Sequence, residues 1–270
     1  MGTAVHVHPS FRPLASRLAL EGRPAGEAER LARLATLLAH LPPPPDPIGL
    51  YPRAGELQER LRALLPAGDG EAVEETFLEL YAHLHGHQAP YTPAERARMD
   101  RAGGYWAHAG GISPVLKAAD VLQPGSISLD LGAGNGLQLL LMQLLTPHRL
   151  SVQVEISLLM LRSGQALQRW LGVPRRRVAW VQGDVLDLPV RSFHFLYMYR
   201  PVKPDGPGGE LYRRLARELA MAPREVTVFS VADCLGEFLP PSVERLYSDG
   251  HLTCYRLGGQ APPPDFGGKQ

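Results

Sequence analysis

The stretch that decides the fold spans residues 126–145 and reads SISLDLGAGNGLQLLLMQLL. Its mostly apolar start ends at a turn with glycine at 132, 134 and 136, and an apolar run follows from Leu137 to Leu145. This order predicts a buried strand, a tight loop and a helix. Glycine removes Cβ atoms where a ligand lies against backbone, and we expect the free N–H groups of the helix to face the same spot. The stretch therefore predicts a nucleotide-type site at the carboxyl end of the strand.

Composition limits the class of protein. The chain has 270 residues, 44% of them hydrophobic, which allows one large domain or one domain with a smaller companion. Its 28 Lys and Arg residues nearly balance 27 Asp and Glu residues, so the broad basic surface of a bulk nucleic-acid binder is not expected. Two cysteines, Cys234 and Cys254, make no disulfide framework and fit a reducing cytoplasm.

The sequence shows no membrane or export signal. The apolar run 137–145 is shorter than the roughly 20 residues that a membrane helix needs. The N-terminus lacks the basic and apolar regions of a signal peptide. We therefore expect a cytoplasmic protein without a membrane partner.

Apolar residues before the glycine turn recur at helical spacing. They predict helices over 24–41, 54–65 and 71–85, while Thr92-Pro93-Ala94-Glu95 is a capping box that starts a helix ending near Gly103-Gly104. Residues 1–23 show no period and stay unassigned. We predict a helical region over 1–104 that caps a substrate site. The proline run at 42–45 leaves open a homodimer in which the first helix packs on a second subunit.

From residue 113 the pattern leads into strand–helix alternation, which predicts a parallel sheet in a domain spanning 105–258. A helix begins at Ser113-Pro114 and runs to about Leu122. The predicted strands are 126–131, 150–155, 177–182, 193–199, 225–231, 244–248 and 251–257, with helices at 137–145, 157–171 and 209–221. Asp249-Gly250 between the last two strands predicts an antiparallel hairpin. The tail 259–270, rich in Gly and Pro, is expected to be disordered.

Two classes of nucleotide site use a strand, a glycine loop and a helix. The dinucleotide fingerprint is G-x-G-x-x-G, whose last glycine allows close packing of helix on strand. Here that position is Leu137. The departure argues against an NAD(P)-dependent oxidoreductase, which we keep as an alternative.

The segment Asp130 to Gly136 resembles motif I of the class I S-adenosylmethionine-dependent methyltransferases, and the resemblance covers roughly residues 105–257. It implies an α/β fold with a seven-stranded, mostly parallel Rossmann-like methyltransferase sheet ending in an antiparallel hairpin. It also implies S-adenosyl-L-methionine as cofactor, with S-adenosyl-L-homocysteine as product. In this family an acid ending the second strand accepts hydrogen bonds from the ribose hydroxyls, and an Asp after the third strand faces the adenine amino group.

Carried onto this chain, the resemblance assigns the ribose role to Glu155, the adenine role to Asp184 and support of the glycine loop to Asp130. The cofactor-binding residues that it implies are Asp130, Gly132, Ala133, Gly134, Asn135, Gly136, Glu155, Ile156, Gly183, Asp184, Val185 and Tyr199. Taken alone, Glu155 is compatible with an ordinary strand-end carboxylate, and Asp184 with a turn or cap residue before Leu186.

Methyl acceptors of this family sit at the end of the fourth strand, which here reads Tyr197-Met198-Tyr199-Arg200-Pro201. This departs from the Asn/Asp-Pro-Pro-Tyr/Phe signature and puts adenine, cytosine and glutamine acceptors in doubt. Period 2 places Tyr197 and Tyr199 on one face, where their rings can hold a cation or simply pack. Arg200 is expected either to hold an acceptor carboxylate or to pair with a surface Glu.

Further candidates come from neighbouring segments. Asp233, after the fifth strand, either orients or deprotonates an acceptor or caps the next segment. The catalytic candidates are thus Tyr199, Arg200 and Asp233. The resemblance implies that residues 105–111 fold over the methionine end, which makes Tyr105 and Trp106 candidate substrate contacts. Tyr197, at the end of the fourth strand, is a third. His83, His85 and His87 alternate along a helix and diverge, so no metal site is predicted.

We therefore expect a methyltransferase (EC 2.1.1.-) whose acceptor is a small molecule or a peptide. The segment around Tyr199 distantly resembles the Tyr-Asn-Pro-Phe segment of lysine methyltransferase-like proteins, so a protein lysine-type acceptor is one alternative. A non-catalytic interaction module of the same fold is another.

Overall fold

The computed structural model describes residues 25–85, 91–105, 111–190 and 192–259. Residues 1–23, His87, Trp106 and the tail beyond residue 259 lie outside these ranges, as do residues 106–110 of the segment expected to cover the methionine end.

In the described ranges, five helices precede the sheet. They are α1 (Ala25–His40), α2 (Ala54–Ala67), α3 (Gly70–Leu84), α4 (Pro93–Ala102) and α5 (Ser113–Ala118). All five were predicted, although α5 ends at Ala118 rather than near Leu122. None of the helices in the described part of the chain has the length and apolar composition needed to cross a membrane.

Local sequence explains the bounds of α4. Thr92 Oγ1 accepts a hydrogen bond from the Glu95 N–H at 3.3 Å, and Glu95 Oε2 accepts one from the Thr92 N–H at 2.7 Å. These two bonds satisfy donors that have no partner within the first helical turn. The helix ends at Gly103, whose φ of +70° lies in the left-handed region. The predicted capping box is therefore confirmed.

The rest of the described chain forms a seven-stranded sheet and its helices. The elements are β1 (Ile127–Leu131), α6 (Leu137–Leu145), β2 (Leu150–Glu155), α7 (Leu158–Trp170), β3 (Val178–Gln182), β4 (Phe195–Tyr199), α8 (Gly206–Ala220), β5 (Glu225–Val231), β6 (Glu244–Ser248) and β7 (Leu252–Gly258). The strand order is β3-β2-β1-β4-β5-β7-β6. β1 to β5 run parallel, β7 is antiparallel to β5, and β6 is antiparallel to β7. The predicted mostly parallel sheet with its C-terminal hairpin is confirmed.

Alternate residues of the strands enter two apolar cores, one on each face of the sheet. Phe195 and Tyr197 of β4 pack with α6 and with residues of α1, α2, α3 and α5. The alternate residues Leu196 and Met198 of the same strand belong to the other core and pack with α8. The N-terminal helices therefore complete the core on one face of the sheet, as the period-2 alternation of β4 requires.

Gly164 of α7 marks the tightest approach of this helix to the site. A Cβ atom there would lie 2.4 Å from the Trp180 ring and 2.5 Å from the Asn135 carbonyl oxygen. We predict that Gly164→Ala lowers the free energy of unfolding by about 1–3 kcal/mol, since added volume in a packed site displaces its neighbours.

Guanidinium unfolding followed by circular dichroism measures this effect. Gly55→Ala in α2 is the matched control, because nothing lies within 4 Å of its added Cβ. We expect that variant to be neutral or slightly stabilised. Equal stability of Gly164→Ala and the wild type would contradict the packing argument.

Candidate functional site

A cavity opens at the carboxyl ends of β1 to β4. It lies where the strand order reverses on either side of β1, the place where open α/β sheets bind ligands. Predicted site residues that line it are Tyr105, Asp130, Gly132, Ala133, Gly134, Asn135, Glu155, Ile156, Gly183, Asp184, Val185, Tyr197, Tyr199 and Arg200. Gly136 and Asp233 do not line it, and Trp106 lies outside the described residues.

Three glycines of the loop after β1 adopt the left-handed backbone conformation. Gly132, Gly134 and Gly136 have φ values of +81°, +57° and +68°. Position 136 requires glycine because of packing, since a Cβ atom there would lie 2.8 Å from the Trp180 ring and 2.9 Å from the Gln153 side chain. The assignment of Gly136 as a cofactor contact is therefore not supported by its position.

The N–H groups of this loop are already used within the protein. Those of Gly132 and Ala133 donate to the Val154 carbonyl at 3.0 and 2.8 Å, and that of Gly136 donates to Ala133 at 2.8 Å. The Gly134 N–H donates to Glu155 at 2.9 Å.

At the start of α6, the Leu137 N–H donates to Asn135 Oδ1 at 3.3 Å. The expectation of free N–H groups at the start of this helix is thus wrong for Leu137. A pyrophosphate needs such donors, so the loop is better suited to a ligand without phosphates.

Glu155 ends β2 and is only 4% exposed. Its Oε2 accepts from Gly134 N–H and its Oε1 from Ser157 N–H, both at 2.9 Å. Burial raises the pKa of the Glu155 carboxyl, and these hydrogen bonds oppose the shift. A carboxylate accepts about four hydrogen bonds, and the backbone of Ile156 is a third partner, so Glu155 keeps capacity for a ribose hydroxyl.

Asp130 lies beside the glycine loop and is 2% exposed. Its Oδ2 has no hydrogen-bond partner among the described residues, and the same holds for the buried hydroxyl of Tyr197. Burial, together with the charge of Glu155, raises the pKa of Asp130 well above its ordinary value. Buried polar atoms normally have partners, and both residues line the cavity, although the two atoms themselves have almost no accessible surface.

Asp184 faces the cavity in a short 3₁₀ turn after β3. Its Oδ1 accepts from Leu186 N–H at 3.0 Å, the turn role that the sequence left open. Its Oδ2 accepts from Arg98 Nε of α4 at 2.9 Å, and Arg98 Nη2 lies 3.7 Å from Asp187. Arg98 therefore joins the N-terminal helices to the predicted adenine end of the site.

Several cavity residues were missed by sequence reasoning. They are His85, Tyr91, Arg98, Met99, Ala102, Gly104, Gln138, Met160, Pro201 and Val202. Tyr91 lies near Glu155, whose charge adds to burial in raising the pKa of its hydroxyl. Most of these residues come from the helical region, and their spacing carries no signal of contact with strands that follow much later in the chain.

At the end of β4, Tyr197 is buried in the apolar core and Tyr199 packs edge-on against His251, with ring centres 5.9 Å apart. Arg200 has a φ of +37°. Its Nε donates to Cys234 Sγ at 3.1 Å, and its guanidinium carbon lies 5.1 Å from the centre of the Tyr105 ring. Among the described residues, Arg200 makes no ion pair with a surface Glu.

Asp233 is occupied by structural contacts. Its Oδ1 accepts from the N–H groups of Leu235 and Gly236 at 3.0 and 3.2 Å, and its Oδ2 accepts from Tyr255 at 2.5 Å. These contacts fit the alternative prediction of a cap, and the position of Asp233 outside the cavity lining does not support its predicted catalytic role.

Of the three alternating histidines, the structure describes His83 and His85, and their side chains contact different parts of the protein. His83 Nε2 accepts from the Arg53 N–H at 3.0 Å, whereas His85 packs on Tyr81. The part of the chain that the structure describes holds no cluster of three or more His, Cys, Asp or Glu side chains that could bind a metal.

No family model and no curated protein sequence matches the chain. Among solved structures, an RNA methyltransferase from Salinibacter ruber in complex with S-adenosyl-L-homocysteine is 20% identical, with a TM-score of 0.43 over 56% of this chain and 93% of that one. TrmN from Thermus thermophilus is 19% identical, with a TM-score of 0.40 over 53% and 46% of the two chains. A methyltransferase from Geobacter sulfurreducens, also with S-adenosyl-L-homocysteine, is 22% identical, with a TM-score of 0.37 over 44% and 47%.

The match spans less than half the length of the last two proteins. The strand order and the antiparallel hairpin give this chain the class I methyltransferase fold.

Asn135 links the glycine loop to the N-terminal helices, since its Nδ2 donates to the Leu84 carbonyl at 2.6 Å and to the Tyr51 hydroxyl at 3.3 Å. We predict that Asn135→Asp lowers the free energy of unfolding by about 1–3 kcal/mol at neutral pH, because the new side chain loses both donated bonds.

The new buried carboxyl would have a higher pKa in the folded than in the unfolded state. The loss should therefore be small at low pH and grow as the pH rises above the ordinary range of an Asp carboxyl. Urea unfolding between pH 4 and pH 8 tests this, with exposed Gln182→Glu as control. A loss independent of pH would contradict the buried contact.

Proposed function

We propose that the chain is an S-adenosyl-L-methionine-dependent methyltransferase whose acceptor is a small molecule or a peptide. One observation carries this proposal. The buried Glu155 carboxylate is fixed at the cavity wall beside a glycine loop whose N–H groups are already satisfied. Such a site offers an acceptor for a ribose diol and few donors for phosphates, which favours a nucleoside cofactor without a pyrophosphate.

The residues present fit the parts of that cofactor. Glu155 would hold a ribose hydroxyl, Asp184 and Val185 would lie at the adenine end, and Asp130 with residues 132–134 at the methionine end. The position of Asp130 in the cavity lining supports the last assignment. When bound, the cofactor supplies a sulfonium methyl group to a nucleophile.

The chain itself supplies position and exclusion of water, which account for much of the acceleration of such transfers. Tyr91, Met99 and Ala102 bring apolar surface from the helical region to the cavity. Tyr197 and Tyr199 lie on the same wall, where a ring face stabilises a neighbouring cation by about 0.5–2 kcal/mol. In this proposal they position the acceptor, and no described residue acts as a nucleophile.

A peptide or protein lysine amine is the second acceptor class. Three tyrosines in the cavity lining, Tyr105, Tyr197 and Tyr199, favour it because aromatic faces attract an amine cation. The NAD(P) alternative is disfavoured by the occupied loop N–H groups and by buried Leu137 at the position that the fingerprint reserves for glycine.

Calorimetric titration with S-adenosyl-L-homocysteine tests the proposal. Glu155→Gln should weaken binding by about 1–3 kcal/mol, since the amide offers one oxygen in place of a charged pair. Exposed Glu59→Gln, distant from the cavity, is the matched control and should bind like the wild type. A wild-type protein that binds no S-adenosyl-L-homocysteine at millimolar concentration would remove the methyltransferase proposal, and NADH titration would then test the oxidoreductase.

Affinity for S-adenosyl-L-homocysteine should also depend on pH. The pKa of Glu155 is raised in the free protein, and only its ionised form keeps the capacity for a ribose hydroxyl. Affinity should therefore rise with pH through a window that starts at the ordinary Glu value and extends upward, then reach a plateau. In Glu155→Gln the affinity should no longer depend on pH. If the pH profile of this variant equals that of the wild type, another group causes the dependence.

A further inference from the structure

Two carboxylates that line the cavity, those of Glu155 and Asp184, already have hydrogen-bond partners in the protein. Asp184 is paired with Arg98, and both oxygens of Glu155 accept backbone hydrogen bonds. Arg200 differs, because no described carboxylate lies within 4.0 Å of its guanidinium. Its two contacts, with the Cys234 thiol and the Tyr105 ring, are both with uncharged groups.

These contacts orient the side chain and leave one edge open. Nε is committed to Cys234, and the guanidinium lies against the Tyr105 ring. The remaining four N–H donors are on the two Nη atoms, for which the structure shows no acceptor among the described residues. Two parallel N–H donors at such an edge match the two oxygens of a carboxylate or a phosphate.

The backbone places this edge at the acceptor end of the cavity. Arg200 follows directly after Tyr199, and its φ of +37° is rare for a residue with a Cβ atom. The same cavity wall carries Tyr197 and Tyr199. The open donors therefore lie beside the aromatic wall rather than at the Glu155 end.

We propose that Arg200 binds an oxyanion group of the methyl acceptor, so that the substrate is a small acid carrying a carboxylate or a phosphate. This inference rests on the proposed function. The guanidinium of Arg200 has no carboxylate partner among the described residues, so an anionic group of the acceptor would supply the opposite charge, whereas a cationic group placed there would be repelled.

The test uses the full chain saturated with S-adenosyl-L-homocysteine and matched pairs of small probes. Benzoate and benzamide form one pair, glutarate and glutaramide another, and inorganic phosphate is a separate arm, all at equal ionic strength. We expect saturable calorimetric binding of an acid but not of its amide. Binding of carboxylates alone assigns a carboxylic acid, and binding of phosphate alone assigns a phosphate ester; both support the oxyanion site.

Arg200→Gln should weaken acid binding by about tenfold to a hundredfold, the effect of a lost charge-assisted pair. Arg200→Lys should lose less, because it keeps the charge without the fork. Exposed Lys203→Gln is the matched control for net charge and should bind as the wild type. Thermal melts and S-adenosyl-L-homocysteine affinity verify that each variant is folded.

Three outcomes would overturn the inference: equal binding of acids and amides, acid binding that Arg200→Gln does not change, or no binding of any anion. A loss of S-adenosyl-L-homocysteine affinity in Arg200→Gln would also overturn it, since Arg200 would then hold the carboxylate of the cofactor. Absence of S-adenosyl-L-homocysteine binding in the wild type would instead refute the proposed function, so the two failures are distinct.

Discussion

The hydrogen bond from the Gly134 N–H to the Glu155 carboxylate is the contact on which the site depends. The loop after β1 turns through glycines in the left-handed region, a conformation that costs backbone entropy. Glu155 fixes the middle of that loop from the neighbouring strand, and its other oxygen holds Ser157 at the start of α7. One buried side chain thus ties two strands, one loop and one helix together. These N–H donors offset part of its burial penalty, and its pKa stays above the ordinary Glu value.

The N-terminal helices belong to the site as well as to the fold. Asn135 joins the glycine loop to the end of α3, and residues of α1 to α3 are buried against the sheet. By contrast, α4 has no fully buried side chain and is held by partly buried Met99 and Ala102, by Arg98 and by backbone bonds near Gly103. A partly exposed ion pair contributes about 0–1 kcal/mol, whereas one buried leucine contributes about 1.5–3 kcal/mol. Among the described elements around the cavity, α4 is therefore the one that costs least to displace.

Local signals predicted the elements well. The capping box fixed the start of α4, the glycine loop marked the end of β1, and Asp249-Gly250 predicted the pairing of β6 with β7. Contacts between distant segments were not predictable. Arg98 and Asp184 form a pair although they lie 86 positions apart, and nothing in the sequence around either residue predicts its partner.

The hydrogen-bond partners of N–H and carboxylate groups could not be predicted from the sequence either. Free donors were expected at the start of α6, yet Asn135 supplies an acceptor from within the loop itself. Asp233 was compatible with catalysis or capping, and only the position of Tyr255 and of the following N–H groups decides for capping. Such outcomes depend on side-chain geometry, which periodicity and spacing do not determine.

The two ends of the cavity differ in how their charges are compensated. At the Glu155 end, both Glu155 and Asp184 have protein partners, so a ligand there is selected by shape and by hydrogen bonds added to groups already in place. At the Arg200 end, the guanidinium is oriented by a thiol and a ring that leave its charge uncompensated. A charge in a partly dry cavity is stabilised most by an opposite charge with matching geometry. If the proposed function holds, discrimination between cofactors depends on fit at the Glu155 end, and the proposed oxyanion contact makes discrimination between acceptors depend on charge at the Arg200 end.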